Sequence, residues 1–254
     1  MRFAATPPVD GTLAKYYALP ADFCYELGDH VTLEEGAVVE PLSIAVHVVR
    51  QANIKPGQSL VVFGAGPVGL LCCAVARRAY GASCVIAVDT NQERLAFARK
   101  YAATQTYKAS GSSPEDTAAA ILAECHTGSG VDAAIDASGA ESCIQTAMHV
   151  LRTGGAYVQA GLGRQMISFP IGSVCSKELS IKGSFRYGPG DYELAVRLLN
   201  NGQVSVRELI TDCFSFHESE KAFESVKAAR GMKTLIRGPG QPLSSKFGRE
   251  RARL

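Results

Sequence analysis

Three glycines and one carboxylate carry the clearest chemistry in this sequence. The stretch SLVVFGAGPVG, residues 59–69, sets Gly64, Gly66 and Gly69 in a G-x-G-x-x-G spacing, and Asp89 closes the later run CVIAVD. Such a spacing suits a tight turn between a strand and a helix. Gly64 permits the turn, Gly66 lets a ligand's phosphates approach the backbone, and Gly69 lets the helix lie close on the strand. Pro67 and Val68 open that helix, and Pro67 loses nothing at a position whose N–H would be unpaired anyway. Free N–H groups and the helix dipole favour an anionic pyrophosphate. A carboxylate ending the next strand accepts hydrogen bonds from ribose hydroxyls. It also repels a 2′-phosphate, and Thr90 and Asn91 supply no cation to hold one. The fingerprint therefore predicts NAD rather than NADP. A plain structural turn can also carry three glycines, and an acid before NQERLAFARK can act as a helix N-cap. Strand before, helix after and acid at the next strand end argue together for binding.

The elements that must position these residues follow from pattern. SLVVF is a continuous apolar run of the kind a parallel strand shows when both faces are buried. LLCCAVARRAYG reads as a helix closed by Gly81, and CVIAVD as the second strand. TQTYKA, VDAAIDASG, AYVQAG and ELSIKGSF supply four more strands. Between them lie SPEDTAAAILAECHT, a helix with Ser113 as cap and Pro114 at its first position, and ESCIQTAMHVLRTGG, a helix closed by Gly154. The expected class is α/β, a doubly wound six-stranded parallel Rossmann sheet over about residues 44–185. In such sheets the ligand lies over the carboxyl ends of the strands. ASG at 137–139 and GLG at 161–163 are two of those ends, so Ser138, Gly161 and Leu162 are expected beside the nicotinamide.

Composition narrows the partners. The chain has 254 residues, 46% hydrophobic and 20% charged, with a net charge of +2. That charge is too small to suggest nucleic acid or an acidic membrane surface. It is also concentrated: residues 241–254 carry +3, leaving −1 for the rest. No apolar run approaches a membrane span, and no charged segment with a long apolar stretch marks a signal peptide. Eight cysteines contain no C-x-x-C pair and read as free thiols of a reducing compartment. The expected location is cytoplasmic. The terminal Ala252-Arg253-Leu254, at the end of a polar basic tail expected to be disordered (239–254), has the small–basic–Leu pattern of a peroxisomal address.

FAATPPVDGTLAKYY, LEEGAVVEPLSIAVH, VVFGAGPVGLL, IDASGAE and GSFRYGPGDY together resemble the zinc-dependent polyol branch of the medium-chain dehydrogenases, which covers sorbitol and xylitol dehydrogenases. The last stretch is most similar to the xylitol dehydrogenase (D-xylulose reductase) subgroup. The resemblance runs from Phe3 to about Gly238. It implies a GroES-like, β-rich catalytic domain interrupted by the nucleotide domain, so residues 1–43 and 186–238 would be pieces of one catalytic domain. By the same resemblance, Arg94 joins Asp89 on the adenosine side. Glu40 stands beside the catalytic zinc and its water, Arg186 and Tyr187 face substrate, and Phe3 forms an aromatic wall. The implied chemistry is zinc-assisted hydride transfer from a polyol to NAD, in a homo-oligomer that is usually a tetramer in the family.

The departure lies at the start of the chain. TPPVDGT reads as a loop and LAKYYALP, residues 13–20, as a short edge strand closed by Pro20, with nothing earlier to supply a partner. The family's zinc ligands, a Cys and a His-Glu pair, and its four-cysteine structural zinc lobe match positions before Met1. The expectation is an N-terminally truncated catalytic domain that lacks the zinc ligands, with Glu40 the one retained metal-side residue. His47, seven residues after Glu40, reads as a helix-face or core histidine, and His217 as part of a capped helix start. Three readings stand: a polyol dehydrogenase represented by an incomplete chain, an NAD-binding protein without turnover, and a zinc-independent reductase. Glu40 and the Arg186-Tyr187 pair argue against the third.

Overall fold

The computed structural model describes residues 4–240. Phe3 and the terminal Ala252-Arg253-Leu254 lie outside the described residues. The chain divides into two compact units, one spanning Val38–Ser205 and one formed by the described parts of Met1–Ala37 and Val206–Leu254. At the start, residues 13–20 are not the edge strand that LAKYYALP suggests. Alternation alone does not make a strand, whose backbone groups need a neighbouring ladder. Tyr16 is instead 82% exposed, and Leu13, Tyr17 and Leu19 are exposed beside it. The single helical turn α1 (Leu33–Gly36) follows, fixed by a capping box in which Thr32 and Glu35 each take the other's N–H.

The larger unit opens with α2 (Val39–Ala52), whose apolar face buries Leu42, Ala45, Val46, Val48 and Val49. It packs on the helices Pro67–Arg78 and Asp191–Asn200. Six strands then make one parallel sheet: β1 (Ser59–Phe63), β2 (Cys84–Asp89), β3 (Gln105–Lys108), β4 (Val131–Asp136), β5 (Leu151–Gln159) and β6 (Ser180–Gly183). The order is β3-β2-β1-β4-β5-β6, and each neighbouring pair is parallel. The chain reverses direction across the sheet between β1 and β4, the switch point where doubly wound folds bind ligands. Leu60, Val61, Val62 and Phe63 are at most 1% exposed, each contributing on the order of 1.5–3 kcal/mol of burial.

Helices cover both faces. Val61 and Phe63 face a cluster with Ile121 of α5 (Pro114–Glu124) and with Ile144, Ala147 and Met148 of α6 (Glu141–Val150). Side chains alternate along a strand, so Leu60 and Val62 face the opposite side, where α3 (Pro67–Arg78) lies. α4 (Gln92–Tyr101) links β2 to β3, and Ser113 caps α5 with Pro114 at its first position, as the sequence indicates.

α6 ends at Val150, and Leu151 already belongs to β5, so Gly154 does not close that helix. The stop is made from elsewhere: Lys177 Nζ donates to the carbonyls of Met148, His149 and Leu151 at 3.2, 2.7 and 2.8 Å. Gly154, at φ 71°, lies within β5 where its register against β4 shifts. A short α7 (Ile171–Ser176) precedes β6, and α8 (Asp191–Asn200) follows it. In the smaller unit, β7 (Ile210–Phe214) and β8 (Lys233–Ile236) pair in parallel, joined through α9 (Ser219–Lys227). His217 lies in the turn that leads into α9; no side chain caps that start, and Ser215 Oγ instead donates to the Glu218 carboxylate at 2.8 Å.

Candidate functional site

The three glycines of the first loop each answer a different constraint. Gly64 has φ 96°, and an added Cβ would stand 3.2 Å from the backbone of Ala137 and Ser138. At Gly69 a Cβ would overlap the Gly64 carbonyl oxygen, so the helix approaches the turn only with a bare Cα. Gly66 has nothing within 4 Å of such a Cβ, leaving its face open. Gly66 is also the N-cap of α3, and Pro67 and Val68 lie half-exposed in its first turn. The arrangement is an open cradle of peptide N–H groups at the start of a twelve-residue helix.

Asp89 ties this loop to the next strand. Its Oδ2 accepts the Ala65 N–H at 2.7 Å and its Oδ1 the Asn91 N–H at 2.8 Å. The cap of α4 is Asn91, whose Oδ1 accepts from the N–H groups of Glu93 and Arg94. Asp89 is thus not the helix N-cap that its position allows, because Asn91 stands two residues closer to the first turn. Each Asp89 oxygen accepts one of these bonds and has capacity for a second. Arg94 lies half-buried in the first turn of α4.

At the other half of the sheet, β4 and β5 end in two interlocked loops. Ser138 donates to Asp136, and a Cβ on Gly161 would stand 2.7 Å from the Ser138 nitrogen. Cβ atoms on Gly139 and Gly163 would overlap each other's loop backbones. A depression of about 460 Å³ opens here, lined in part by Ser138, Glu141, Leu162 and Arg164, and Leu162 is 86% exposed. The sequence reading overlooks Asp136 at the base of these loops, although it ends β4 as Asp89 ends β2.

Glu40 and Tyr187 are brought together within the larger unit. Burial raises the Tyr187 phenol above its ordinary value, the Glu40 carboxylate raises it further, and Arg186 opposes both. Arg186 has φ 57° and carries its guanidinium 5.7 Å from the Phe185 ring centre. Tyr187 meets Tyr192 edge to face at 5.2 Å. Behind this loop, Asp191 is 1% exposed and accepts from His47 Nδ1 at 2.7 Å, from the Gly188 N–H at 2.8 Å and from Arg50 Nη1. His47 is therefore a helix-face histidine held by a carboxylate, as its place on α2 suggests.

All eight cysteines are free thiols. Among the described residues no group of three His, Cys, Asp or Glu side chains is placed to hold a metal ion. Those residues do not fit a catalytic zinc, which takes three protein ligands, and no step through zinc is derived for them. The dinucleotide fits: a cradle of N–H groups, an open Gly66 face and a carboxylate at the second strand end stand together.

Comparison with known proteins agrees with this geometry. Residues 67–201 match a family model described as zinc-binding dehydrogenase. D-xylulose reductase A of Aspergillus niger is 62% identical over 238 residues, 94% of this chain and 66% of the relative. D-xylulose reductase A of Aspergillus oryzae is 61% identical over the same share of the chain. The chain spans about two thirds of the length of these relatives. Among solved structures, L-idonate 5-dehydrogenase from Escherichia coli superposes with a TM-score of 0.81 at 26% identity, over 91% of this chain and 65% of that one. 2R,3R-butanediol dehydrogenase from Bacillus subtilis gives 0.76 at 28%, over 84% and 60%. A glycine cradle on a β3-β2-β1-β4-β5-β6 sheet, a family match across more than half the chain and relatives above 60% identity lead to one conclusion: the chain belongs to the zinc-binding dehydrogenase family.

Proposed function

We propose that this chain serves an NAD-dependent polyol dehydrogenase that interconverts xylitol and D-xylulose by hydride transfer. The observation that carries the reading is 62% identity to a D-xylulose reductase across 94% of the chain. The cradle of Gly64, Gly66 and Gly69 supports it. Bound NAD would accept a hydride from the carbon bearing the substrate hydroxyl. The residues of this chain would do the holding. N–H groups of the Gly66–Gly69 turn would take the pyrophosphate, with Pro67 and Val68 fixing the first turn of α3. Asp89 would accept the ribose hydroxyls with Arg94 beside it, and Ser138, Gly161 and Leu162 would flank the nicotinamide. Glu40, Arg186 and Tyr187 would face the polyol, where a charged carboxylate, a guanidinium and a neutral phenol can share its several hydroxyls. In the whole protein Glu40 would also stand beside the metal through a water, Phe3 would wall the pocket, and copies of the chain would assemble as a homo-oligomer.

A second reading is that these 254 residues by themselves bind NAD without turnover. The donors described above favour it, since they form no three-ligand site. Expressing the chain, measuring bound zinc and assaying xylitol oxidation with NAD separates the two. Stoichiometric zinc with turnover supports the first reading. NADH binding with neither zinc nor turnover supports the second.

A further inference from the structure

Asp136 is 0% exposed at the carboxyl end of β4, and its side chain and carbonyl bond the loop after β4, the last residue of β5 and the loop after β5. Its Oδ1 accepts the Ser138 hydroxyl at 2.6 Å and the Ser138 N–H at 3.2 Å. Its Oδ2 accepts the Gly139 N–H and the Gln159 amide, both at 2.7 Å. Its backbone carbonyl accepts the N–H groups of Ala160 and Gly161, at 2.9 and 2.8 Å. Gln159 extends the set, donating to the Gly161 carbonyl at 2.7 Å and accepting from the Tyr157 hydroxyl. One residue thus gathers the loop after β4 and the loop after β5 by side chain and backbone together.

A buried carboxylate is retained only where donors replace its water, because leaving it unpaired is costly. Here the donors are two peptide N–H groups and a hydroxyl of the Ser138–Gly139 loop and the amide of Gln159 at the end of β5, so satisfying the charge constrains both loops. That shape has little slack. A Cβ on Gly161 would stand 2.8 Å from Asp136 Oδ2, and Gly139 and Gly163 tolerate none at all. Burial, with the Asp136 charge adding, drives the Tyr157 phenol far above its ordinary value, so it remains a donor to Gln159 at any working pH. Doubly wound sheets bind one mononucleotide at each half. On the NAD reading the Gly64–Asp89 half would hold the adenosine diphosphate, which leaves the β4–β5 half for the second nucleotide.

We infer that Asp136 is the positioning residue of the nicotinamide half of the site: it touches no ligand but locks the Ser138–Gly139 and Gly161–Gly163 loops into the bed on which that half lies. This rests on the NAD reading above. The prediction is a split between the two halves of the cofactor. Asp136→Asn puts an amide donor against the Gly139 N–H or the Gln159 amide. It should weaken NADH about tenfold while ADP, which occupies only the first half, binds within about twofold of the wild type. A loss of overall stability would weaken both ligands together.

The experiment is a fluorescence titration of the 254-residue protein with NADH, with ADP read by competition or calorimetry. Gln159→Met serves as the second variant, removing the bonds to Asp136, to Gly161 and from the Tyr157 hydroxyl without changing a charge. It should weaken NADH about threefold with ADP unchanged. NADH loss with ADP retained in either variant supports the inference. If both variants bind NADH as the wild type does, or if each loses NADH and ADP equally, the inference is overturned and the NAD reading stands. A wild type that binds neither NADH nor ADP overturns both.

Discussion

Asp89 shapes the first loop through Ala65 and Asn91, and on the proposed NAD reading its carboxylate would repel a 2′-phosphate. Replacing Asp89→Ser together with Thr90→Arg removes the repulsion and supplies a cation. NADH should weaken by about 1–3 kcal/mol and NADPH should gain, in paired fluorescence titrations. An unchanged ratio would place selection elsewhere. At the other candidate centre, Tyr187 is raised by burial and then by Glu40. Glu40→Gln removes the negative charge, so the phenol should titrate at lower pH than in the wild type. NMR of ring-labelled tyrosine, assigned with Tyr187→Phe, reads this directly. Asp89 was legible in the sequence because it ends an unmistakable buried strand. Asp136 was not, since its partners are peptide N–H groups, a hydroxyl and an amide brought together by the ends of two strands, and no spacing rule encodes them. Asp191 was hidden for a related reason: His47 and Arg50 lie more than 140 residues away in sequence.

The strands show how much of the architecture composition carries. SLVVF and CVIAVD announce themselves as unbroken apolar runs, and the structure pairs them from Ser59↔Cys84 to Phe63↔Val88. β5 was only half legible. Thr153, Gly154 and Gly155 look like a helix stop, yet it is Lys177, from beyond the strand, that takes the carbonyls at the helix end, and Gly154 lies where the β4–β5 register shifts. LAKYYALP misled in the opposite sense, with strand-like residues and no ladder. Two element-scale tests follow. Gly69→Ala forces a methyl onto the Gly64 carbonyl and should cost about 3 kcal/mol. Gly66→Ala meets no atom within 4 Å and should cost under about 1 kcal/mol, yet weaken NADH about tenfold by filling the open face. Denaturant melts and NADH titrations of the two variants distinguish these effects.

At the opposite end of the sheet, Asp132 joins β1, β4 and β5. Its carboxylate accepts from the Ser59 N–H and hydroxyl, both at 2.8 Å, and from Arg152 Nε at 2.9 Å. Burial alone would raise this carboxyl, but the Ser59 and Arg152 bonds hold it below its ordinary value. A folded-state value below the unfolded one stabilises the fold above the unfolded pKa, and that contribution is lost as pH falls through the folded pKa. Asp132→Asn should therefore cost about 1–3 kcal/mol at neutral pH, with the difference shrinking in acid. Urea melts across that range check it. A gap that widens toward low pH would contradict the assignment.

For the molecule as a whole, a net charge of +2 sets no strong field for nucleic acid. Among the described residues no helix is long and apolar enough to cross a membrane. What organises the chain is the sheet of Val38–Ser205, where β1, β4 and β5 lead into glycine loops of close backbone approach and β2 ends in the Asp89 carboxylate. The family was readable from motifs such as GAGPVG and GSFRYGPGDY, because their spacing is imposed by a turn, a helix start and a buried carboxylate. The central claim is that this sheet binds NAD in preference to NADP, and it does not depend on polyol turnover. Titrating the purified 254-residue protein with NADH and NADPH, by nucleotide fluorescence and calorimetry, tests it most directly. The account predicts one NADH per chain and NADPH at least about tenfold weaker. Failure to bind NADH, or NADPH binding as tightly, would contradict it.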